Sequence, residues 1–267
     1  NFSIVDTDKS GVDFRAKGKL EYVGEHYLRW TNGEYFLKIG NDSPDNFLEY
    51  NEFDNTTYHK NGDRFYPDHI TDWENGDPTW KNGLGKGLIG TVNYLSEQGI
   101  NAQYVMTDNT YGDTDAVFPW SDKDSHFTFD TSKLDQWQIV FDHMMEKGLM
   151  AHIVLSEAEQ QSLFELAGDA QGDTNFADAR KIYFREIVAR FGYLNALTYN
   201  IGEENGWNRS NTYGRALTSQ QQIDFVNYLD QLLYYKDNIV LHNGPAGDDT
   251  VYTDLVGNNA YTGTAMQ

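Results

Sequence analysis

Cysteine is absent from these 267 residues, so disulfides, thiolate nucleophiles and cysteine-held metals are excluded from the outset. That absence does not decide the compartment, because a core of this size holds together without covalent staples inside or outside a cell. Cationic side chains are also scarce: 20 Lys and Arg stand against 41 Asp and Glu, for a formal charge of -21. A field of that sign repels phosphate backbones and anionic headgroups, so neither nucleic acid nor a membrane surface is expected as a partner. A strongly polyanionic substrate is disfavoured for the same reason, unless the few cations converge. Apolar runs long enough to cross a bilayer, roughly 20 residues, are missing, and no signal peptide is visible. The start at Asn1 rather than Met suggests that a leader or preceding domain has been removed. Apolar residues make up 39% of the chain and proline only five positions, which fits a globular α/β chain rather than a disordered or fibrous one.

What is present reads first as strands. Leu28 to Trp30, Asn32-Gly33 and Tyr35 to Ile39 have the spacing of a tight hairpin, since Asn-Gly accepts the positive φ angles of such a turn. Leu20 to Tyr27 adds a further strand. Residues 1–34 are thus expected to form an N-terminal β segment, or the remnant of a preceding β-sandwich. Residues 41–83 form a long loop rich in Asp, Asn, Gly and aromatics, beyond ordinary connection lengths. Helices are then expected at Leu84 to Gln98, Lys133 to Lys147, Phe176 to Phe191 and Ser219 to Tyr235. Gly99, Gly148 and Gly192 should give the first three left-handed caps. Strands follow at Ala102 to Thr107, Met150 to Leu155, Ala196 to Ile201 and Ile239 to His242, with a sixth near Thr262 to Met266. Tyr35 to Ile39 is counted as the first.

This alternation predicts parallel strands covered by helices. A doubly wound open sheet accommodates the same count. The (β/α) barrel of the TIM type is favoured because polar groups collect after successive strands, where a barrel places its site. Those groups are Asp42, Asp108 to Tyr111, Ser156 and Glu157, Glu203 to Asn205, and His242. With five or six strands in residues 35–267, the barrel is incomplete, and a remaining domain or another chain is expected to close it.

The most informative segment is Thr198 to Asn205. Gly202 lets the chain turn at the strand's carboxyl end and present Glu203 and Glu204 above the sheet. Glycoside cleavage needs a protonated carboxyl over the leaving oxygen and a second carboxylate across the sugar. Neighbours on one strand point apart, so the partner must come from another strand end. Glu157 is the leading candidate, ahead of Asp108 and Asp42. Against this stands the reading of all three glutamates as solvated turn charges in an acidic chain.

Tyr199-Asn200-Ile201-Gly202-Glu203-Glu204 resembles the fourth-strand signature of the large retaining glycoside hydrolase superfamily of (β/α)₈ barrels. The resemblance implies that Glu204 is the acid/base. Glu203 then holds the place of the family's asparagine that contacts the sugar 2-hydroxyl, a departure from its pattern. The stretches Glu34 to Gly40, Asp42 to Leu48, Leu134 to Trp137 and Arg190 to Gly192 are similar to secreted bacterial glycosidase-like proteins that carry an N-terminal β-sandwich. The likeness implies a bacterial protein that is secreted, periplasmic or on the outer cell surface. It also implies a polysaccharide or oligosaccharide substrate, marine by the acidic shell, and a nucleophile on a seventh strand beyond this chain.

Sugars offer flat apolar faces ringed by hydroxyls, so aromatic platforms beside short polar groups suit a groove. Trp207, Trp120, Tyr111, Asn109, Asn205, His152, His242 and Asp42 are the expected substrate contacts. Each aromatic has a loop-anchoring alternative, and each histidine a structural one. No metal site is expected from the histidines. Asp6, Asp8, Ser10 and Gly11 open like a calcium loop, but Lys17 stands where its last ligand belongs. A structural calcium among the acids of Asp42 to Asp77 is the one cofactor the composition leaves open. A noncatalytic carbohydrate-binding module and a polysaccharide lyase remain the competing functions.

Overall fold

The computed structural model describes residues 6–41, 47–56, 62, 64–167, 174–206, 208–244 and 250–265. Asp42 and Trp207 lie outside them. Two sheets form. The hairpin closes as expected: β2 (Leu28–Trp30) pairs antiparallel with β3 (Tyr35–Phe36) across Asn32-Gly33, where Gly33 has φ +98°, and β1 (Leu20–Glu21) adds the third strand. Six strands, all parallel and in chain order, make the second sheet. They are β4 (Gly40–Asn41), β5 (Ala102–Met106), β6 (Met150–Val154), β7 (Leu197–Asn200), β8 (Asn238–His242) and β9 (Gly263–Ala265). The result is a curled half-barrel, an incomplete (β/α) barrel of the TIM type preceded by the antiparallel sheet.

One strand differs from expectation. Tyr35 belongs to the hairpin, not to the barrel, and the first parallel strand is Gly40–Asn41. The cause is pairing: Arg29 takes Tyr35 as its partner, and only from Ile39 onward does the backbone meet Asn101 and Ala102.

Helices cover the outer face: α1 (Lys86–Glu97), α2 (Thr131–Glu146), the single turn α3 (Leu163–Leu166), α4 (Asp178–Phe191), α5 (Ser219–Leu232) and the short α6 (Thr250–Thr253). Asp130 caps α2 by accepting from the Lys133 N–H, and Leu134, Trp137, Phe141 and Met144 then recur at helical spacing and bury completely or nearly so. Thr218 and Gln221 form a reciprocal capping box on α5. Gly99 and Gly148 take the left-handed conformation, whereas Gly192 stays right-handed at φ -63°, because its N–H still bonds to the Val188 carbonyl and carries the helical path one residue further.

Within the long loop, the 3₁₀ segment Pro67–Asp72 lies directly against α1. Gly87 and Gly90, three residues apart on one helix face, permit this: a Cβ at Gly87 would overlap the Phe65 carbonyl oxygen, and one at Gly90 the His69 carbonyl oxygen. Acids of this loop are taken up locally. Glu49 pairs with Arg64 at 2.6 Å, Asp54 with Lys81, and Asp77 accepts from Asn93 at 2.7 Å.

The antiparallel sheet is stitched to the amino-terminal ends of β7 and β8. Leu20 N–H donates to the Asn195 carbonyl at 2.7 Å and Tyr22 N–H to the Lys236 carbonyl at 3.0 Å. Lys19, buried, donates to the Leu194 carbonyl at 2.7 Å and pairs with Asp237 at 2.7 Å.

Candidate active site at the carboxyl ends of the strands

Alternation decides which side chains face the barrel lumen. Val105, Ile153, Tyr199 and Leu241 point outward into the helical core. Tyr104, His152, Thr198 and Asn238 share one register level on the lumen side. Above them Asn200 donates to the Tyr104 hydroxyl at 2.9 Å, and that phenol meets His242 Nδ1 at 3.0 Å. The lumen is therefore polar from its middle to its mouth.

Past Asn200 the chain makes the turn its glycine allows. The Gly202 N–H bonds to Asn200 Oδ1 at 3.1 Å, the Glu203 N–H to the Ser156 carbonyl at 2.9 Å and the Asn205 N–H to the His242 carbonyl at 3.0 Å. These bonds fix the segment between β6 and β8. Glu203 carries its carboxylate toward β8, 4.0 Å from His242 Nδ1. Glu204 adopts a left-handed backbone, φ +46°, a conformation costly for a residue with a Cβ and concentrated at functional sites. This bend re-aims its side chain toward β6, where it pairs with Arg209, and Arg209 Nε in turn lies 3.2 Å from Glu159. Two adjacent carboxylates thus reach the same rim in different directions.

Glu157, at the end of β6, is buried and accepts the Asp113 N–H at 2.9 Å. Gly112 packs so closely on its carboxylate that any Cβ there would overlap it. Asp113, Glu157 and Glu159 approach closely enough that one oxygen from each lies within 4.8 Å of the others. They are the grouping among the described residues able to share a cation, and they sit at the mouth rather than in the 42–77 region.

The loop after β5 is built from its own polar groups. Asn109 is fully buried, with its side chain accepting from the Val117 N–H and donating to Thr114. Tyr111, at φ +65°, packs on Tyr213 with ring centroids 4.9 Å apart and bonds to Asp124. Trp120, expected as a sugar platform, has no exposed surface: it packs between His126, Phe164 and Tyr183. This aromatic cluster takes up its faces. Asn205 and His242 lie nearly buried beside Glu203, and His152 lies deeper in the lumen, where burial and then the nearby Lys38 hold its pKa well below the usual range.

Asp108 is buried behind this loop. Its Oδ1 accepts from Thr110, while Oδ2 has no hydrogen-bond partner among the described residues. Desolvation raises its pKa from 3.8 to about 6. The folded state therefore binds this proton more tightly than the unfolded chain does. Stability should rise as pH falls from about 6 to about 4, and lose that contribution above pH 6. Between pH 7 and 5 the gain is on the order of 1 kcal/mol. Urea titrations at the two pH values should show it, and Asp108→Asn should flatten the difference. An unchanged difference in the variant would assign the proton elsewhere.

Sequence reasoning missed Tyr104, Asn200, Arg209, Asp113 and Glu159. The first two were legible as alternating polar positions inside apolar strands. Arg209 had no signal beyond a lone cation five residues after Glu204.

No family model matches the chain, and no curated protein sequence matches it. Solved structures do. A glycoside hydrolase family 5 protein from Bacteroides vulgatus ATCC 8482 superposes with a TM-score of 0.50 at 12% identity, over 85% of this chain and 39% of its own. A second, described as a glycoside hydrolase, gives 0.51 at 14% identity over 88% and 43%. A β-mannanase from the blue mussel Mytilus edulis gives 0.52 at 11% identity over 94% and 74%. The chain spans about two-fifths of the first two structures. At these identities the likeness establishes the fold.

Proposed function

We propose that this chain carries the acid/base side of a retaining glycoside hydrolase site acting on a polysaccharide or oligosaccharide. The observation that carries the reading is the pair Glu203 and Glu204 at the end of the fourth parallel strand, with Glu204 bent into the left-handed region so that the two carboxylates turn to different partners at the carboxyl end of the sheet. The shared fold with glycoside hydrolases supports it. Glu204 donates a proton to the glycosidic oxygen as the bond to the anomeric carbon breaks. A carboxylate on the opposite face of the sugar, from a strand outside these six, attacks that carbon. Glu204 then takes a proton from water, whose oxygen displaces the enzyme carboxylate. Arg209 already touches Glu159, so it has a second partner when Glu204 turns to substrate. In this proposal Glu203, His242 and Asn205 hold sugar hydroxyls. Action outside the cytoplasm, where polysaccharide is met, belongs to the same proposal.

The test is release of reducing ends by the complete gene product from neutral mannans and glucans and from acidic polysaccharides, with the anomer formed first read by NMR. Retained configuration is expected. Binding to several glycans without any new reducing end would replace this reading with a noncatalytic carbohydrate-binding one.

A further inference from the structure

The loop after Asn205 is shaped to present Arg209. Its N–H donates to the Gly214 carbonyl at 2.7 Å and closes the loop on itself. Gly214 has no room for a side chain: an added Cβ would sit 2.5 Å from the Arg209 Cβ, so the arginine stem lies across the glycine. The far side of the loop is tied down after β6, where the Ser162 N–H donates to the Tyr213 carbonyl at 3.0 Å and Ser162 Oγ to the Arg215 carbonyl at 2.6 Å.

The guanidinium is thereby set between acids from two different strand ends, Glu204 at Nη2 and Glu159 at Nε. The Arg209, Glu204 and Glu159 side chains are 26%, 22% and 25% exposed, so water screens both pairs and neither holds tightly. The two sides are unequal. Toward β6, Glu159 groups with Asp113 and Glu157, whereas toward β8, Glu203 turns away to His242. A guanidinium that lets go of Glu204 keeps a strongly negative seat, and Coulomb attraction favours that shift once Glu204 carries a proton.

We propose, resting on the acid/base reading of Glu204, that Arg209 is its positioning residue: it holds the carboxylate toward β6 until Glu204 turns to the glycosidic oxygen, and then stays on Glu159. Once the proton has passed to the leaving oxygen, Glu204 is ionised again and Arg209 returns to it. The test is the pH dependence of kcat/KM for the complete gene product on a glycoside with a poor leaving group, whose alkaline limb marks loss of the proton from the acid. Arg209→Met removes a cation that favours the ionised carboxylate, so the limb should move to higher pH. Glu159→Gln leaves Arg209 to Glu204 alone, so the limb should move to lower pH. Each shift is expected to be about half a unit to one unit. Arg209→Lys keeps the charge and should return the limb most of the way. A merely structural arginine would lower the melting temperature and scale the whole profile down with the limb in place, and that result overturns the proposal. So do limbs that move the same way in both variants. Glu159→Gln decides the matter if Arg209→Met fails to fold. Glu204→Gln, run in parallel, separates the two ways of failing. A limb fixed in both variants, while Glu204→Gln slows only the poor leaving group, refutes the role of Arg209 alone. Absence of that leaving-group dependence at Glu204 refutes the acid/base reading and the role of Arg209 with it.

Discussion

Glu204→Gln is expected to slow cleavage of a glycoside with a poor leaving group by about 10²- to 10⁴-fold, the usual worth of a positioned general acid. The amide preserves the shape of the side chain but has no proton to give at this step. A dinitrophenyl glycoside leaves without protonation, so its bond-breaking step should change little. Comparing the two substrates in the complete gene product therefore isolates the donor role from binding and folding. Glu203→Gln should behave differently. A side chain that holds a sugar hydroxyl contributes whichever leaving group departs, so both substrates should slow in parallel. Were the leaving-group dependence to appear at Glu203 instead, the two glutamates would exchange roles while the chemistry stood.

Arg180→Met should produce the largest loss of stability, about 3–5 kcal/mol, as expected when one member of a buried ion pair is removed. Arg180 and Glu165 are both fully buried, and the guanidinium grips the carboxylate through Nε at 2.7 Å and Nη2 at 2.6 Å. Phe164 and Phe225 sandwich the cation at 4.7 and 4.5 Å from their ring centroids. Without the guanidinium, the Ala177 N–H at 3.4 Å is the hydrogen bond left to Glu165 among the described residues, too little to solvate a buried charge. The pair also joins α3 to α4, and Arg180 bonds to the Gln161 carbonyl at 2.8 Å. Ser162 then bonds to the Tyr213 and Arg215 carbonyls, so the same loss should loosen the loop that carries Arg209. Denaturant midpoints would measure the first effect. The double variant Arg180→Met, Glu165→Met should recover much of it, because an apolar pair leaves no unpaired charge; a double variant no better than the single would point to packing instead.

Helix positions were readable where apolar spacing ran up to a closing glycine, as at Leu134 and Trp137 before Gly148, whereas the Asp130 and Thr218 caps emerged only in the fold. The boundary around Tyr35 was not readable either, because alternation looks alike in a hairpin and a barrel strand until the partner is known. Gly87 and Gly90 sit inside a helix without a local signal; their purpose depends on a backbone passing overhead, which no local window contains. At the site, Gly202 followed by two acids was legible as a turn at a strand end. The bend at Glu204 and the embrace of Arg209 depend on long-range bonds to Ser156 and His242, so they emerge only in the fold. Trp120 shows the reverse: a loop tryptophan suggests a platform, but a nearby aromatic cluster outcompetes the sugar for its faces.

The seam between the hairpin and the base of the barrel has a consequence for synthesis on the ribosome. Lys19 emerges well before the Leu194 carbonyl it needs, which lies 175 positions later, and Asp237 comes later still. At roughly 5–20 residues per second this segment waits on the order of 10–40 seconds for its docking surface. A segment made well before its dock is thus late to settle, and its strands are available to chaperones throughout that interval.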